Sequence, residues 1–250
     1  MVVAFPAPGR RMKNGARPAA SRGVSERRKT GDAPPSEFTL WQLADSAFPT
    51  GGFAHSSGLE AACQHGEIRA AADLRRWIEA SLEQLLSATL PFVNAAHRQP
   101  SRLCELDALC EAFTSNHVAR RASRLQGRAW LSAVTRIFKS KMEKWNVEEL
   151  PFSHLGPVFG VLTRALGLSR MGAIRLFVFM HLRGIIAAAV RLNVVGPTEA
   201  QAIQHQCGDL AASVARRSGK LTIEDLAQTV PLLELWQGTQ DRLYSRLFQS

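Results

Sequence analysis

Aromatic residues and cysteines are both scarce in this sequence of 250 residues. Aromatics make up 7% of the chain and include one tyrosine, and Ala, Leu and Arg dominate, a composition that favours helices over strands. We find no secretory signal, and four cysteines in a chain of this size are typical of reduced residues and not of a disulfide framework: Cys63, Cys104, Cys110 and Cys207. We therefore expect a helical protein of the cytoplasm.

The motifs that mark common catalytic sites are also missing. The sequence has no Gly-x-x-x-x-Gly-Lys-Ser/Thr loop, so neither Gly51-Gly52 nor Gly219-Lys220 forms a phosphate loop. The run His55-Ser56-Ser57-Gly58 lacks the first glycine of a hydrolase nucleophile elbow and has no strand before it. We predict no catalytic residues, no cofactor and no enzymatic activity of the chain itself.

Metal-ligating spacings are likewise absent. Residues two apart on a helix diverge by about 200°, and residues six apart also diverge, so such pairs cannot chelate one ion from regular geometry. Residues that flank one turn could converge in principle, but without a recognised zinc spacing. The candidate sets are His205 with Cys207, Cys104 with Cys110, and His55 with Cys63 and His65. We interpret them as core or surface residues and predict no metal site.

The positive charge of the chain, +10, is unevenly distributed. Residues 1–36 hold eight Lys or Arg against Glu26 and Asp32, and residues 116–146 hold eight against Glu143. Such a balance invites a nucleic-acid interpretation, but no aromatic platform or reading motif accompanies it. We therefore expect no nucleic-acid partner, and keep a basic nucleic-acid-binding protein only as a lesser alternative.

Residues 1–36 lack periodicity and are rich in Arg, Ser, Gly and Pro, so we predict a disordered basic tail, with an organelle transit peptide as the alternative. The folded domain is predicted to span residues 37–250. Its most apolar stretch, 173–190, contains Arg175, His181 and Arg183. An arginine at mid-membrane costs about 2.5 to 3.5 kcal/mol, so we interpret this stretch as a buried core helix and expect no membrane partner.

Apolar residues recur at spacings of three and four along the domain, which predicts an all-α bundle of about ten helices. The predicted helices begin near residue 37 and cover about 57–63, 70–89, 103–113, 116–142, 158–166, 169–192, 198–217, a short turn from 222, and 232–248. We expect Pro91 to end or kink the third helix. The helix over 169–192 is apolar nearly all round, and Gly184 in its middle is expected to let another helix approach closely.

Charged residues are expected mostly on outer faces. Arg120, Arg124 and Arg128 stack at i, i+4 and i+8, opposite the apolar face of their helix. A solvated face is the simpler interpretation, and a dock for an acidic partner is the functional one. The acidic residues are expected on amphipathic outer faces, where no carboxylate would be tuned as a buried general acid.

Two sets of residues carry a more specific signal. The segment from Leu40 to Glu60 contains Pro49-Thr50-Gly51-Gly52-Phe53, which we name the glycine turn, followed by Ser57-Gly58-Leu59-Glu60. The second set lies in the C-terminal half: Gly156-Pro157-Val158-Phe159-Gly160, Ala187-Ala188-Ala189-Val190-Arg191-Leu192, Gly196-Pro197-Thr198, and Tyr244-Ser245-Arg246-Leu247-Phe248-Gln249-Ser250. In this order the blocks resemble the urease accessory protein UreF.

The resemblance implies an all-helical protein that dimerises and bridges the scaffold UreD, also called UreH, to the GTPase UreG, in a complex that delivers nickel to apo-urease. A chain without a phosphate loop can serve such a pathway if its partner supplies the GTP chemistry. The partner-contacting residues that the resemblance implies are Gly51, Gly52, Phe53, His55, Gly58, Glu60, Arg191, Tyr244, Arg246, Leu247 and Phe248.

Two departures and one alternative accompany the resemblance. His55 stands where bacterial relatives often carry Tyr, and the stretch Asn116–Ser123 follows the plant form only loosely. The alternative is a GTPase-activating regulator of UreG, in which Arg128 or Arg246 would act as an arginine finger.

Overall fold

Twelve α-helices make up most of the part of the chain that the structure, a computed structural model, describes. The described residues are 37–143 and 150–250; the disordered tail predicted for residues 1–36 lies outside them. The helices are α1 Glu37–Ala44, α2 Leu59–Gln64, α3 Ala71–Ala88, α4 Leu90–Arg98, α5 Leu103–Phe113, α6 His117–Ile137, α7 Lys139–Met142, α8 Leu155–Ala165, α9 Arg170–Arg191, α10 Pro197–Gln206, α11 Gly208–Ser218 and α12 Pro231–Thr239. Four 3₁₀ turns accompany them, and no strand occurs in these residues: Gly52–Ala54, Pro100–Arg102, Ile223–Asp225 and Gln240–Arg242. The all-α prediction is confirmed.

Helix α9 lies at the centre of the bundle. It packs against α3, α4, α8, α10 and α11, and its buried residues are Ala173, Ile174, Leu176, Phe177, Val178, Leu182, Ile185, Ile186, Ala188 and Ala189. Within the described residues it is the one helix long and apolar enough to cross a membrane, by length and composition alone, and 56% of its most apolar window is buried inside the protein. This burial supports the interpretation as a core helix.

The structure corrects one sequence prediction for α9, the close approach of another helix at Gly184. Arg175, Phe179, Ala187 and Arg191 are exposed, so the helix is not buried all round. A Cβ built on Gly184 would meet nothing within 4 Å, so no neighbouring helix approaches there. Residues four apart lie close together on a helix surface but rotate by about 40° at each step, so the exposed residues form a row that winds round α9. The row includes the small residue Ala187, which has little apolar area to gain from burial.

Capping residues mark three helix ends. The Asn116 side chain accepts hydrogen bonds from the backbone N–H groups of Val118 and Ala119 at the start of α6. The hydroxyl of Ser169 accepts from Gly172 at the start of α9, and Gly167 after α8 has φ 85°. Each follows from unpaired N–H groups or a left-handed residue at a helix end, which depend on sequence neighbours alone.

Two helix boundaries were not predicted. Pro91 ends α3 as expected, but it also stands in the first turn of α4, where its missing N–H is not needed. The predicted helix over 198–217 is divided at Cys207 into α10 and α11. In both places the helices on either side of the break pack against α9.

A buried carboxylate fixes the junction of α5, α6 and α8. Asp107 is fully buried and accepts the backbone N–H groups of Phe152, Ser153 and His154 at 2.7 to 3.0 Å. The loop passes against α6 at Gly127, where a Cβ would lie 1.9 Å from the Ser153 carbonyl oxygen. The prediction that acidic residues lie mostly on outer faces is therefore wrong for Asp107, because these three N–H groups replace water around its carboxylate.

Candidate functional site

The glycine turn connects α1 to the 3₁₀ turn Gly52–Ala54. Gly51 adopts a left-handed conformation with φ 70°, which an L side chain rarely takes. Gly52 then begins the 3₁₀ turn, and the side chain of Phe53 is 75% exposed. A large apolar side chain held outward by a defined turn is a feature of contact surfaces.

Gly58 is required by both its backbone and its surroundings. Its φ is +87°, and a Cβ there would lie 2.8 Å from the backbone nitrogen of Gln237 in α12. The glycine therefore lets the start of α2 pass directly against α12. The last residues of the chain, beyond α12, contact Ala54 and Ser56, which follow the glycine turn.

The last residues correct the predicted final helix. We predicted a helix over residues 232–248, but α12 ends at Thr239, and the 3₁₀ turn Gln240–Arg242 follows it. Residues 243–250, named here the C-terminal segment, are not helical. Tyr244, Arg246, Leu247 and Phe248 therefore lie on a segment whose backbone pairs with distant residues instead of with its own helical turn.

Glu60 anchors the C-terminal segment. Its carboxylate accepts the backbone N–H of Leu247 at 2.5 Å and that of Phe248 at 3.1 Å. The same carboxylate accepts the side-chain amide of Gln240 at 2.6 Å. Glu60 is 2% exposed, so these three donors replace its hydration. This buried acid explains why a helix does not continue, since the backbone donors find better partners elsewhere.

His55 and Ser56 hold the end of the segment. His55 Nδ1 lies 2.6 Å from the hydroxyl oxygen of Ser250. The Ser250 main-chain oxygen accepts from both the backbone N–H and the hydroxyl of Ser56, while Gln249 donates its N–H to Ala54 at 2.8 Å. The segment thus lies along the residues that follow the glycine turn.

Arg191, the last residue of α9, contacts both the glycine turn and the C-terminal segment. Its guanidinium donates to the Phe53 carbonyl and stacks 4.2 Å from the ring centroid of Phe248. A planar guanidinium suits this double role because it can donate in its plane and stack on an aromatic face. Three residues from separate parts of the sequence therefore meet in one place.

Other side chains of the segment point outward. Tyr244 is fully exposed and Leu247 is 52% exposed. Arg246 is also exposed and pairs with Asp241 at 3.1 Å, and Asp241 also binds Arg121 of α6. The segment therefore combines a fixed backbone with exposed apolar side chains and with an exposed arginine that is paired with Asp241.

Burial alters the titration of two histidines near the site. The pKa of His55 is lowered to about 4, chiefly because burial disfavours the charged imidazolium and also because Arg121 repels it. Burial also lowers the pKa of His181, in α9, to about 4. Both rings are therefore neutral near pH 7.

A cavity of about 650 Å³ lies beside the glycine turn. Its apolar wall includes Phe48, Trp130, Phe159, Phe177 and Phe248, and α9 contributes Gly184. The polar groups His181, Arg183 and Arg191 stand around this wall. The turn and the segment therefore form one side of a largely apolar hollow.

Comparison with known proteins gives a consistent result. The UreF family model matches residues 68–208. The chain is 37% identical over 224 residues to "Urease accessory protein F" of Oryza sativa subsp. japonica, covering 85% of each chain. It is 34% identical to the protein of that name from Arabidopsis thaliana, covering 86% of this chain and 92% of the relative.

The chain belongs to the UreF family. A bacterial relative, "Urease accessory protein UreF" of Arthrobacter sp., is 28% identical and is covered over 97% of its length. The family model ends at residue 208, so the C-terminal segment lies beyond it, as the glycine turn lies before it. In this UreF-family chain, both ends of the domain contribute to the candidate site and Arg191 reaches it from the matched core.

Among residues 37–143 and 150–250, no group of three or more His, Cys, Asp or Glu is placed to hold one metal ion. Burial, with a smaller contribution from Glu60, raises the pKa of the Cys63 thiol to about 11, so the thiolate that binds metals is scarce at neutral pH. His65 packs against Trp236, with ring centroids 5.1 Å apart. His55 contacts the C-terminal segment instead.

The eleven residues predicted for partner contact all lie at or beside the glycine turn and the C-terminal segment, but their structural roles differ. Phe53, Tyr244, Arg246 and Leu247 are exposed, while Glu60 and His55 are buried and act on the backbone. Sequence reasoning missed Ser56, Gln240 and Ser250, which supply or receive the anchoring hydrogen bonds. The terminal Ser of the Arg-Leu-Phe-x-Ser block was the one available signal for Ser250.

Proposed function

We propose that this chain works in urease maturation by bridging the scaffold UreD/UreH and the GTPase UreG in the complex that delivers nickel to apo-urease. Membership of the UreF family supports the role in urease maturation. The partners, a homodimeric state and a cytoplasmic location belong to the proposal. The chain acts in it as a binding protein, with GTP chemistry supplied by UreG.

The observation that carries this proposal is the docked C-terminal segment. Glu60, His55 and Ser56 fix its backbone, while Tyr244 and Leu247 remain exposed. Association costs less when the contacting backbone is already ordered, because less conformational entropy is lost on binding. Exposed Tyr and Arg side chains on such a backbone are suited to become the central contacts of an interface.

Replacement of both exposed side chains tests the proposal. Tyr244→Ala/Leu247→Ala protein is titrated against the UreD/UreH homologue of the same organism, and then that complex is titrated against UreG. We expect the first affinity to fall by about thirty-fold, equivalent to about 2 kcal/mol. Leu109→Ala is the matched control, since Leu109 is an exposed leucine on α5.

Three outcomes are informative. Equal affinities of wild type and variant for the scaffold would contradict the assignment of the segment. Absence of any binding by the wild-type chain would contradict the bridging role itself. If the complex accelerates GTP hydrolysis by UreG and an Arg128→Ala or Arg246→Ala variant abolishes this without weakening binding, the GTPase-activating alternative is correct.

A further inference from the structure

Helix α6 presents a second surface, separate from the exposed side chains of the C-terminal segment. Within His117–Ile137 the helix carries five arginines and no Asp or Glu. Four of them line an open groove of about 560 Å³. The complete lining, named here the arginine groove, is Glu111, His117, Arg120, Arg121, Arg124, Leu125 and Arg128.

The positive charge of the arginine groove is only partly neutralised. Glu111, its one carboxylate, binds Arg124 and His154 and lies 3.4 Å from Arg120. The hydrogen bond from Arg124, assisted by that from His154, lowers the pKa of Glu111 to about 2, so this charge is fully present and fully engaged at neutral pH. Arg121 is paired with Asp241, so four guanidinium groups face two engaged carboxylates, which still leaves an excess of positive charge.

Two arginines retain donors for a ligand. Arg128 makes no hydrogen bond or ion pair within the described residues and is exposed. Arg120 makes one long contact, to Glu111 at 3.4 Å. Because a guanidinium has five N–H donors, both can still bind a carboxylate through two parallel bonds.

The spacing of the arginines indicates the shape of the occupant. Arg120, Arg124 and Arg128 follow one another at four residues, or about 6 Å along the helix axis. Alternate residues of an extended peptide, which share one side, are about 6.6 Å apart. Carboxylates at alternate positions of an extended chain therefore match three successive arginines. Leu125, 41% exposed, offers an apolar contact between them.

We propose that the arginine groove binds an extended acidic segment of a partner protein, with Asp or Glu at alternate positions. A nucleic acid fits less well, because the lining contains no Phe, Tyr or Trp side chain for base stacking. The inference goes beyond the bridging function and does not require it. Arg121 lines the groove and also binds Asp241, so a partner at the C-terminal segment lies within reach of it.

The test uses a fluorescein-labelled eight-residue peptide that alternates Glu and Thr. Fluorescence anisotropy measures its binding to wild-type protein, to Arg120→Gln/Arg128→Gln and to Arg75→Gln/Arg216→Gln. The last is the matched control, since it also removes two positive charges, and both of its arginines are exposed and without side-chain hydrogen bonds or ion pairs in the described residues. Melting curves of all three proteins verify that each is folded.

We expect the groove variant to bind about ten-fold more weakly than wild type at low salt, and the control to bind like wild type. Added salt should weaken wild-type binding, since the contacts are ionic and exposed. A peptide with Gln in place of Glu should not bind. This result is independent of UreD/UreH and UreG, so it stands or fails separately from the bridging function.

Two results would overturn the inference. The first is equal binding of the peptide to wild type and to the groove variant. The second is tighter binding of an eight-nucleotide single-stranded DNA than of the peptide, lost in the groove variant, which would assign the surface to nucleic acid.

Discussion

The carboxylate of Glu60 accepts the backbone N–H of Leu247 at 2.5 Å, across a separation of 187 residues. A buried acid in α2 thereby determines the path of the C-terminal segment. The exposed residues of that segment, Tyr244 and Arg246, owe their positions to a side chain that a partner would not touch.

Replacement of Glu60 should release the C-terminal segment without unfolding the bundle. Glu60→Ala leaves the N–H groups of Leu247 and Phe248 without their acceptor, a loss of about 1 to 3 kcal/mol if they stayed buried. Since the segment can leave and regain water, we expect little change in melting temperature and faster tryptic cleavage after Arg246. Glu79→Ala, at an exposed position of α3, is the control. Unchanged cleavage in Glu60→Ala would show that the segment is held by other contacts.

Two glycine-to-alanine changes in long helices should have opposite effects on the free energy of unfolding. Gly127→Ala places a Cβ 1.9 Å from the Ser153 carbonyl oxygen, so α6 and the loop before α8 must separate. We expect a loss of about 3 kcal/mol or more in the free energy of unfolding. Gly184→Ala meets nothing within 4 Å and should gain about 0.5 to 1 kcal/mol, because alanine has less backbone entropy to lose in a helix. Urea unfolding measures both, and a destabilised Gly184→Ala would reveal a close neighbour of α9.

Stability should decrease as the solution is acidified from about pH 6.5 to pH 4. The pKa of His55 and of His181 is about 4 in the folded protein, below the ordinary value of 6.5. Between these values the unfolded chain binds more protons than the folded one, so protonation favours unfolding. The stability is fully present above pH 6.5 and is lost as the pH falls toward 4.

The contributions of the two histidines to the acid sensitivity can be measured separately, with variants that keep a hydrogen-bond donor or acceptor in place of each ring. His55→Asn retains a nitrogen near the position of Nδ1, and His181→Gln retains one near Nε2, which lies 2.7 Å from the Ser81 hydroxyl. The melting temperature, measured at intervals from pH 7.5 to pH 4, should fall less steeply in each variant than in wild type. Parallel curves for all three proteins would assign the acid sensitivity to other groups.

Arg246 should matter for partner binding and little for stability. Its pair with Asp241 is exposed, and such pairs contribute at most about 1 kcal/mol. Arg246→Ala should therefore leave the unfolding free energy within about 0.5 kcal/mol of wild type. If Arg246 makes a desolvated contact, its loss should weaken binding to the UreD/UreH homologue by about thirty-fold. A parallel loss of melting temperature and affinity would make the residue structural.

Local features of the fold were predictable because their causes lie within a few residues. The caps at Asn116 and Ser169 and the helix Leu103–Phe113 follow from turn chemistry and apolar spacing. The family blocks pointed to the glycine turn and to the C-terminal residues separately, as partner-contacting residues, and that role stays a prediction. Their meeting through Glu60 and Arg191 was not visible in the pattern.

The failures share one physical cause. Residues 240–248 have an apolar pattern compatible with a helix, but the carboxylate of Glu60 offers their backbone another acceptor. Gly184 was expected to be a close contact, yet it borders the cavity beside the glycine turn. In each case the local structure depends on residues that are distant in the sequence and close in space. The spacing of apolar residues along one segment does not show which residues those are.

The contacts of the docked C-terminal segment also form late in the synthesis and folding of the protein. Synthesis proceeds from the N-terminus, and contacts between distant positions form late in folding. When α2 leaves the ribosome, Glu60 has no Leu247 to bind, and Ala54 and Ser56 lack their partners in Gln249 and Ser250. A nascent chain can assemble its helices while this surface is still open to water. The surface is therefore completed only after residues 247–250 have been synthesised.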